Sequence, residues 1–280
     1  DRTVGHLHLP PMYLRTGWRA RLRGRHAVRY DPRALGPQTQ IARFIAVSHH
    51  TRALWVDAGL PDDRIEVVHN GIDLTTYRPA RRGEREEVRA RLGVADDAFV
   101  IGFVGRIEPA KGIEELLRAV NAVAERTRRH IVLVVVGEPS RWHTAEESAS
   151  YVASLRKQAA VDARWLGHRN DVPELYRGMD LVVVPSQWDE PFGLVAAEAL
   201  ASEVPVVATR RGGLSEVLTG PLSVNLVDTS WRAIARGIER HIQDPTRGAW
   251  IGQQGRRVVL REFEVAQAME RIENVLRGAM

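Results

Sequence analysis

Short apolar runs alternate with amphipathic stretches along most of the chain. The apolar runs predict β-strands at 3–9, 43–47, 65–69, 100–104, 131–136, 163–166, 181–184 and 204–208. Hydrophobic positions three and four apart predict helices at 51–58, 112–127, 146–160, 194–202, 230–243 and 248–277, the last either continuous or broken. Asp171, followed by Pro173, predicts the cap of a short helix at 173–176. This alternation is typical of an α/β fold with doubly wound, Rossmann-like parallel sheets.

A polar segment at 78–83 divides the chain into two parts. It contains Pro and Gly, as linkers commonly do. Residues 80–262 hold enough alternating strands and helices for a complete doubly wound domain. Residues 1–79 hold only three predicted strands, so we expect them to be the last part of a domain, which makes the first domain incomplete.

Composition narrows the class of protein. The chain has 280 residues, 44% of them hydrophobic and 27% charged, and no apolar run approaches the length of a membrane span. It contains no cysteine, which removes disulfides, thiolate catalysis and cysteine-based zinc sites. A globular protein of the reducing cytoplasm is the expectation.

The net charge of +5 is concentrated near the start of the chain. Residues 15–33 carry seven arginines against one acidic residue, Asp31, and Leu14, Trp18 and Leu22 are spaced as on one helix face. Three interpretations of 12–30 stay open: peripheral contact with an anionic membrane at its inner face, binding of an anionic acceptor, or an ordinary solvated surface. Nucleic acid is not expected as a partner, since no recognised binding module accompanies the charge.

A first candidate loop follows the predicted strand at 100–104. It runs from Gly105 to Gly112 and contains Arg106 and Lys111. Lysine is rare in this chain, where 38 of the 40 basic residues are arginine. Doubly wound sheets bind ligands at the carboxyl ends of their strands, and both cations suit a diphosphate.

A second candidate loop follows the predicted strand at 181–184. It carries Glu190, and a helix beginning at Gly193 carries Glu198 eight positions later. Free N–H groups at a helix start favour an anion such as phosphate. Carboxylates beside such a site can accept hydrogen bonds from sugar hydroxyls, so the two loops together fit a nucleotide sugar.

Four blocks of sequence resemble the retaining glycosyltransferases of family 4. They are Phe103-Val104-Gly105-Arg106 to Lys111-Gly112, Glu190 to Glu198, Val206-Val207-Ala208-Thr209 to Glu216-Val217, and Ile45-Ala46-Val47-Ser48 to Asn70-Gly71-Ile72-Asp73. The resemblance implies a GT-B-like architecture, with 1–79 as the remnant of the acceptor-side domain, 80–262 as the donor-binding domain and 263–280 as a closing helix that packs back on the first domain. It also implies transfer of a hexosyl unit, with retention, from a UDP-, GDP- or other nucleoside diphosphate sugar to an acceptor that is a sugar, a lipid or a small molecule.

The resemblance also implies a set of site residues. In the family the first Glu contacts the donor sugar and the second contacts the ribose, which correspond to Glu190 and Glu198, and a cleft histidine corresponds to His8 or His6. Glu190, Arg106, Lys111 and His8 are the expected catalytic residues. Donor contacts are expected at Gly105, Arg106, Lys111, His168, Val172, Glu190, Phe192, Gly193, Leu194 and Glu198. No Asp-x-Asp pair is arranged to hold a metal on the phosphates, so we expect no essential metal or other cofactor.

Other functions remain open at this stage. The chain could be a nucleotide-sugar-binding module that depends on a partner, or a GT-B-type epimerase or phosphorylase. Because the first domain is expected to be incomplete, this chain alone is expected to bind the nucleotide but transfer sugar poorly. Replacing Lys111 or Arg106 by alanine is expected to weaken nucleotide binding and to leave the stability of the free protein almost unchanged.

Overall fold

The computed structural model describes residues 4–8, 41–139 and 144–279. The basic segment at 12–30, and every expectation that rests on it, lies outside the described residues. The chain divides into two compact units, a smaller one of residues 1–71 with 265–280 and a larger one of residues 72–264.

These boundaries differ from the predicted ones at 79/80 and 262/263. The segment 72–79 belongs to the larger unit because the ring of Tyr77 lies 6.2 Å from that of Tyr176 and Arg78 forms an ion pair with Glu84 at 2.7 Å. The linker composition at 78–83 therefore marks the start of a helix, not the domain boundary.

The larger unit is built on a six-stranded parallel sheet. Its strands are β4 (Phe99–Val104), β5 (Ile131–Val136), β6 (Asp162–Trp165), β7 (Leu181–Val184), β8 (Val206–Thr209) and β9 (Leu226–Val227). They lie in the order β6-β5-β4-β7-β8-β9. This is the strand order of a doubly wound Rossmann fold, so the predicted fold class is confirmed for this unit.

Helices cover both faces of this sheet, as the sequence pattern predicts. They are α2 (Glu84–Leu92), α3 (Ile113–Ala124), α4 (Ala145–Gln158), α5 (Val172–Tyr176), α6 (Leu194–Ala201), α7 (Leu214–Val217), α8 (Trp231–Gln243) and α9 (Pro245–Glu262). The sequence pattern missed α2, α7 and β9. It also left the stretch 248–277 undecided, and the structure divides that stretch at Phe263, which packs edge-on against Phe192 with ring centroids 5.2 Å apart.

The core of the larger unit lies against its two central strands. All six residues of β5 are buried, as are the first five of β4, and alternate residues of both strands pack in one cluster with the apolar face of α3. At roughly 25 cal/mol per Å² of buried apolar surface, a continuous apolar cluster of this kind fixes the strands firmly. The loops at the strand ends are thereby held in defined positions.

The smaller unit contains a three-stranded parallel sheet. Its strands are β1 (Val4–Leu7), β2 (Arg43–Ala46) and β3 (Ile65–Val67), in that order, and the helices among its described residues are α1 (His49–Asp57) and α10 (Val265–Ala279). Helix α10 packs on the sheet through Ala268, which shares a buried cluster with Ile45 and Val68. None of the helices within 41–139 and 144–279 is long and apolar enough to cross a bilayer.

Candidate functional site

The topology of the larger unit places two loops side by side. Strands β4 and β7 are neighbours, with Ile101 opposite Leu181, and the strand order reverses between them. Doubly wound folds bind ligands in the crevice at this switch point, beyond the carboxyl ends of the strands. The loops that leave β4 and β7 are the two candidate loops of the sequence.

Two glycines show how closely these loops approach and where space remains. Gly112 has a φ of +73°, and a Cβ atom built there would lie 1.9 Å from the carbonyl oxygen of Pro185, so only glycine lets the loops meet. Gly105 has a φ of +145°, and a Cβ atom there would meet nothing within 4 Å. The first loop is therefore pressed against the second at one end and open at the other.

A buried ion pair joins the two loops. The ammonium of Lys111 lies 2.6 Å from Oε1 of Glu190, and their side chains are 19% and 10% exposed. The hydroxyl of Ser186 donates to the same oxygen at 2.8 Å, and the ammonium also lies 5.1 Å from the centre of the Trp188 ring. The structure thus brings together two residues that the sequence predicted for one site.

This pairing changes one expectation. The sequence analysis expects that replacing Lys111 leaves the stability of the free protein almost unchanged, but Lys111 neutralises a buried carboxylate of its own chain. A buried carboxylate that loses its partner is costly. Replacing Lys111 is therefore expected to lower the stability of the free protein as well.

Arg106 lies apart from this pair. Its guanidinium is half exposed and lies 3.1 Å from Glu108 of the same loop. The described contacts tie it to its own loop and not to Glu190. Its long side chain is available at the open end of the loop, next to Gly105.

Helix α6 begins directly after the second loop. Gly193 is its N-cap, Phe192 before it is buried, and Leu194 after it is 45% exposed. The first N–H groups of a helix have no partner inside the helix, and the helix dipole makes this end positive. The second loop is also fixed from the other side, because the N–H of Gly213 donates to the carbonyl of Glu190 at 2.7 Å.

Glu198 lies in the middle of α6 among buried alanines. The hydroxyl of Tyr176 donates to its Oε2 at 3.1 Å, and Tyr77 is a second tyrosine that interacts electrostatically with this carboxylate. Burial raises the pKa of Glu198, and the two tyrosines act in the opposite direction. The sequence singled out Glu198 but missed both tyrosines, since their distances along the chain give no signal of this contact.

The loop after β6 carries the remaining predicted donor contacts. His168 is exposed, and its Nε2 lies 3.2 Å from Oδ1 of Asn170, while Val172 is the first residue of α5. Asp171 lies at the predicted N-cap position of α5, but its side chain does not cap the helix. Its carboxylate is held by the guanidinium of Arg169 at 2.6 and 2.7 Å, which lowers its pKa, and makes no capping bond.

The predicted cleft histidines belong to the smaller unit. His6 and His8 are both exposed on one face of β1, with ring centroids 3.8 Å apart. Burial, and then the neighbouring His8, lower the pKa of His6. This confirms that alternation puts the two side chains on one face of the strand. Which of the two corresponds to the cleft histidine of the family stays a prediction.

The fold and its switch-point crevice thus define a doubly wound, Rossmann-like class of protein, and comparison with known proteins gives the family. Residues 84–258 match the model of the glycosyl transferases group 1, and residues 2–76 match that of glycosyltransferase family 4. The chain belongs to the group 1 glycosyl transferases.

Individual relatives agree with this family. The chain is 37% identical over 206 residues to a D-inositol 3-phosphate glycosyltransferase of Salinispora arenicola, covering 69% of this chain and 45% of the relative. It is 32% identical over 243 residues to a lipopolysaccharide 1,2-N-acetylglucosaminetransferase of Salmonella typhimurium, covering 85% and 62%. The chain therefore spans about half the length of these curated relatives.

Solved structures confirm the fold class. Anabaena HepE in complex with UDP is 25% identical, has a TM-score of 0.82, and is covered to 72% by 99% of this chain. The α/β architecture with Rossmann-like parallel sheets, as in GT-B glycosyltransferases, is the one predicted from the sequence.

Proposed function

We propose that the larger unit binds a nucleoside diphosphate sugar at the switch point between β4 and β7, for transfer of its sugar with retention. The observation that carries this proposal is the buried pair of Lys111 and Glu190. A lysine that faces the diphosphate and a carboxylate that faces the sugar are thereby already in contact at the point where the two parts of such a donor join. The UDP complex of HepE, a structural relative, supports a nucleotide as the ligand.

The charges of the site suit departure of a diphosphate. As the bond from the anomeric carbon to phosphate breaks, the sugar gains oxocarbenium character and the diphosphate gains negative charge. The ammonium of Lys111, the guanidinium of Arg106 and the positive end of α6 are placed on the two loops to stabilise that charge.

Glu190 serves the sugar in this proposal. Its carboxylate would accept hydrogen bonds from donor hydroxyls beside the reacting carbon, while Ser186 holds its Oε1. Attack on the same face, with the leaving phosphate accepting the proton of the acceptor, needs no protein nucleophile. We also propose that no metal is essential, because the sequence has no Asp-x-Asp pair to bridge one to the phosphates.

Calorimetry with UDP, GDP and their monophosphates tests the diphosphate site. A charged hydrogen bond is worth roughly 1.5–3 kcal/mol, so Lys111→Met should weaken diphosphate binding about 10- to 100-fold. Its binding should then approach that of the monophosphate. Lys157, the other lysine, is exposed on α4, and Lys157→Met is the matched control.

Two outcomes would contradict the proposal. Equal diphosphate affinity of the wild type and Lys111→Met would remove the phosphate role of this lysine. If the wild type bound no nucleoside diphosphate at all, the donor site itself would be wrong. Where a donor is turned over, proton NMR of the product tests retention through the configuration of its anomeric carbon.

A further inference from the structure

Glu198 is held by two tyrosines that the proposed chemistry does not use. Tyr176 at the end of α5 is completely buried, and its hydroxyl lies 3.1 Å from Oε2 of Glu198. The ring of Tyr77 packs at 6.2 Å and 51° to that of Tyr176, and Tyr77 interacts electrostatically with the same carboxylate. Two tyrosines from separate parts of the larger unit therefore converge on one carboxylate.

This arrangement differs from ordinary neutralisation of a buried acid. Within 41–139 and 144–279, no lysine or arginine forms an ion pair with Glu198, although Glu190 on the same segment has one. Buried carboxylates are usually paired with a cation, because an isolated buried charge is expensive. The neutral hydroxyl of Tyr176 fixes the orientation of the carboxylate without cancelling its charge.

The hydrogen-bond capacity of the carboxylate leaves room for a ligand. An ionised carboxylate offers about four lone-pair sites. One is taken by the hydroxyl of Tyr176, which leaves up to three acceptor sites. A ribose presents two neighbouring hydroxyls, and a deoxyribose presents one in the same position.

We propose that Tyr176, assisted by Tyr77, is a positioning residue that orients Glu198 to select a ribonucleotide over a 2′-deoxyribonucleotide. The inference rests on the proposed donor site and deepens it, since it concerns which nucleotide that site accepts. Neither tyrosine needs to touch the nucleotide. Their effect passes through the position of the carboxylate.

The test is the ratio of affinities for UDP and 2′-deoxy-UDP, measured by calorimetry. The wild type should bind UDP at least about tenfold more tightly, because a hydroxyl-binding acceptor that loses its donor is left unpaired. Tyr176→Phe should reduce this ratio to about two- to threefold by weakening UDP binding, and should leave the affinity for 2′-deoxy-UDP unchanged. Glu198→Gln sets the lower limit of the ratio.

Two further variants control for damage to the fold. Tyr77 is only partly buried, so Tyr77→Phe should fold and should lower the ratio in the same direction, by a smaller factor. Tyr151 is a partly buried tyrosine on α4, away from Glu198, and Tyr151→Phe should leave the ratio unchanged.

The outcomes separate this inference from the proposed function. If the wild type discriminates and both Tyr176→Phe and Tyr77→Phe keep the full ratio, the tyrosines are only structural and the inference is wrong. Equal wild-type affinity for the two nucleotides would show that Glu198 does not read the ribose, which overturns the inference but not the diphosphate site. Failure of the wild type to bind either nucleotide would overturn both.

Discussion

Two ion pairs of the larger unit use their charges differently. Arg89 of α2 is 2% exposed and pairs with Asp180 at 2.6 Å, in front of β7. Its guanidinium also donates to three carbonyl groups, those of Gly178, Asp96 and Ala98. Asp180 in turn accepts from the N–H of Val100 and from the guanidinium of Arg85. All three guanidinium nitrogens are thus engaged by the chain itself.

The pair in the crevice is less completely satisfied. Within the described residues, the ammonium of Lys111 makes one hydrogen bond, to Glu190, and otherwise faces the ring of Trp188. A cation–π contact is worth roughly 0.5–2 kcal/mol and is readily exchanged for a stronger partner. The pair of Arg89 and Asp180 therefore stabilises the fold, whereas the charges of Lys111 and Glu190 can still bind a ligand.

The largest effect should come from breaking the first pair. Arg89→Met would leave three carbonyls without this donor and Asp180 with only Arg85 and the N–H of Val100, so we expect the free energy of unfolding to fall by about 3 kcal/mol. Urea denaturation measures this loss. The affinity of the folded fraction for a nucleoside diphosphate should not change, since Arg89 lies on α2 and not on either candidate loop.

Arg85→Met is the matched control for this prediction. Arg85 binds the other oxygen of Asp180 but is 38% exposed, so its loss should cost less than about 1 kcal/mol. Equal losses for the two arginine variants would show that the buried carbonyl contacts of Arg89 add nothing.

Breaking the second pair should have a smaller effect on stability and a larger effect on binding. We expect Lys111→Met to lower the free energy of unfolding by about 2 kcal/mol, because Glu190 loses its cation but keeps the hydroxyl of Ser186. Adding Glu190→Gln should restore most of that stability and none of the nucleotide affinity. A double variant as unstable as the single one would mean that the two charges do not interact in solution.

Glu198 is a third carboxylate, and its pH dependence should distinguish it from the other two. Burial raises its pKa above the ordinary value of 4.5. At pH values between the ordinary pKa of the unfolded state and the raised pKa of the folded state, the folded state binds more protons than the unfolded state. The free energy of unfolding therefore falls as the pH rises through this range. This loss should be absent in Glu198→Gln.

The measurement is the difference between the wild type and Glu198→Gln in the free energy of unfolding, followed upward from about pH 4. Burial lowers the pKa of His241 from its ordinary value of 6.5 to about 4, so this histidine makes the protein less stable as the pH falls below 6.5. Because His241 is present in both proteins, its contribution cancels in the difference. A difference that does not vary with pH would show that Glu198 is not buried in the way the structure describes.

The sequence could predict the sheet and the two loops because each leaves a local signal. Unbroken apolar runs mark buried parallel strands, and the order of the motifs places Lys111 and Glu190 after two of them. Strand β9 has only two residues and α2 is mostly charged, so neither has the periodicity that reveals an element.

Contacts between distant residues could not be predicted in this way. Tyr176 reaches Glu198 across 22 positions, and Lys111 reaches Glu190 across 79. Which partner a buried charge selects depends on packing between elements, and no local pattern records that choice. The sequence could therefore name the candidate residues, but it could not predict their pairing or the effect of that pairing on stability.

The smallest effect should come from an ion pair on the surface beside the crevice. Arg211 lies 3.7 Å from Asp189, next to Glu190, and the two side chains are 41% and 46% exposed. Exposed pairs contribute roughly 0–1 kcal/mol, so Arg211→Met should change the free energy of unfolding by less than about 0.5 kcal/mol.

The charge of Arg211 can still attract an anionic ligand through water. We expect diphosphate affinity to fall about two- to threefold at low salt and by nothing measurable near 1 M salt, where charges are screened within about 3 Å. Arg257→Met, on the exposed surface of α9, is the control and should show neither change. If the loss of affinity persisted at high salt, Arg211 would contact the diphosphate directly. Arg211 would then belong with Lys111 as a ligand-binding cation, and its pair with Asp189 would not be a merely screened surface pair.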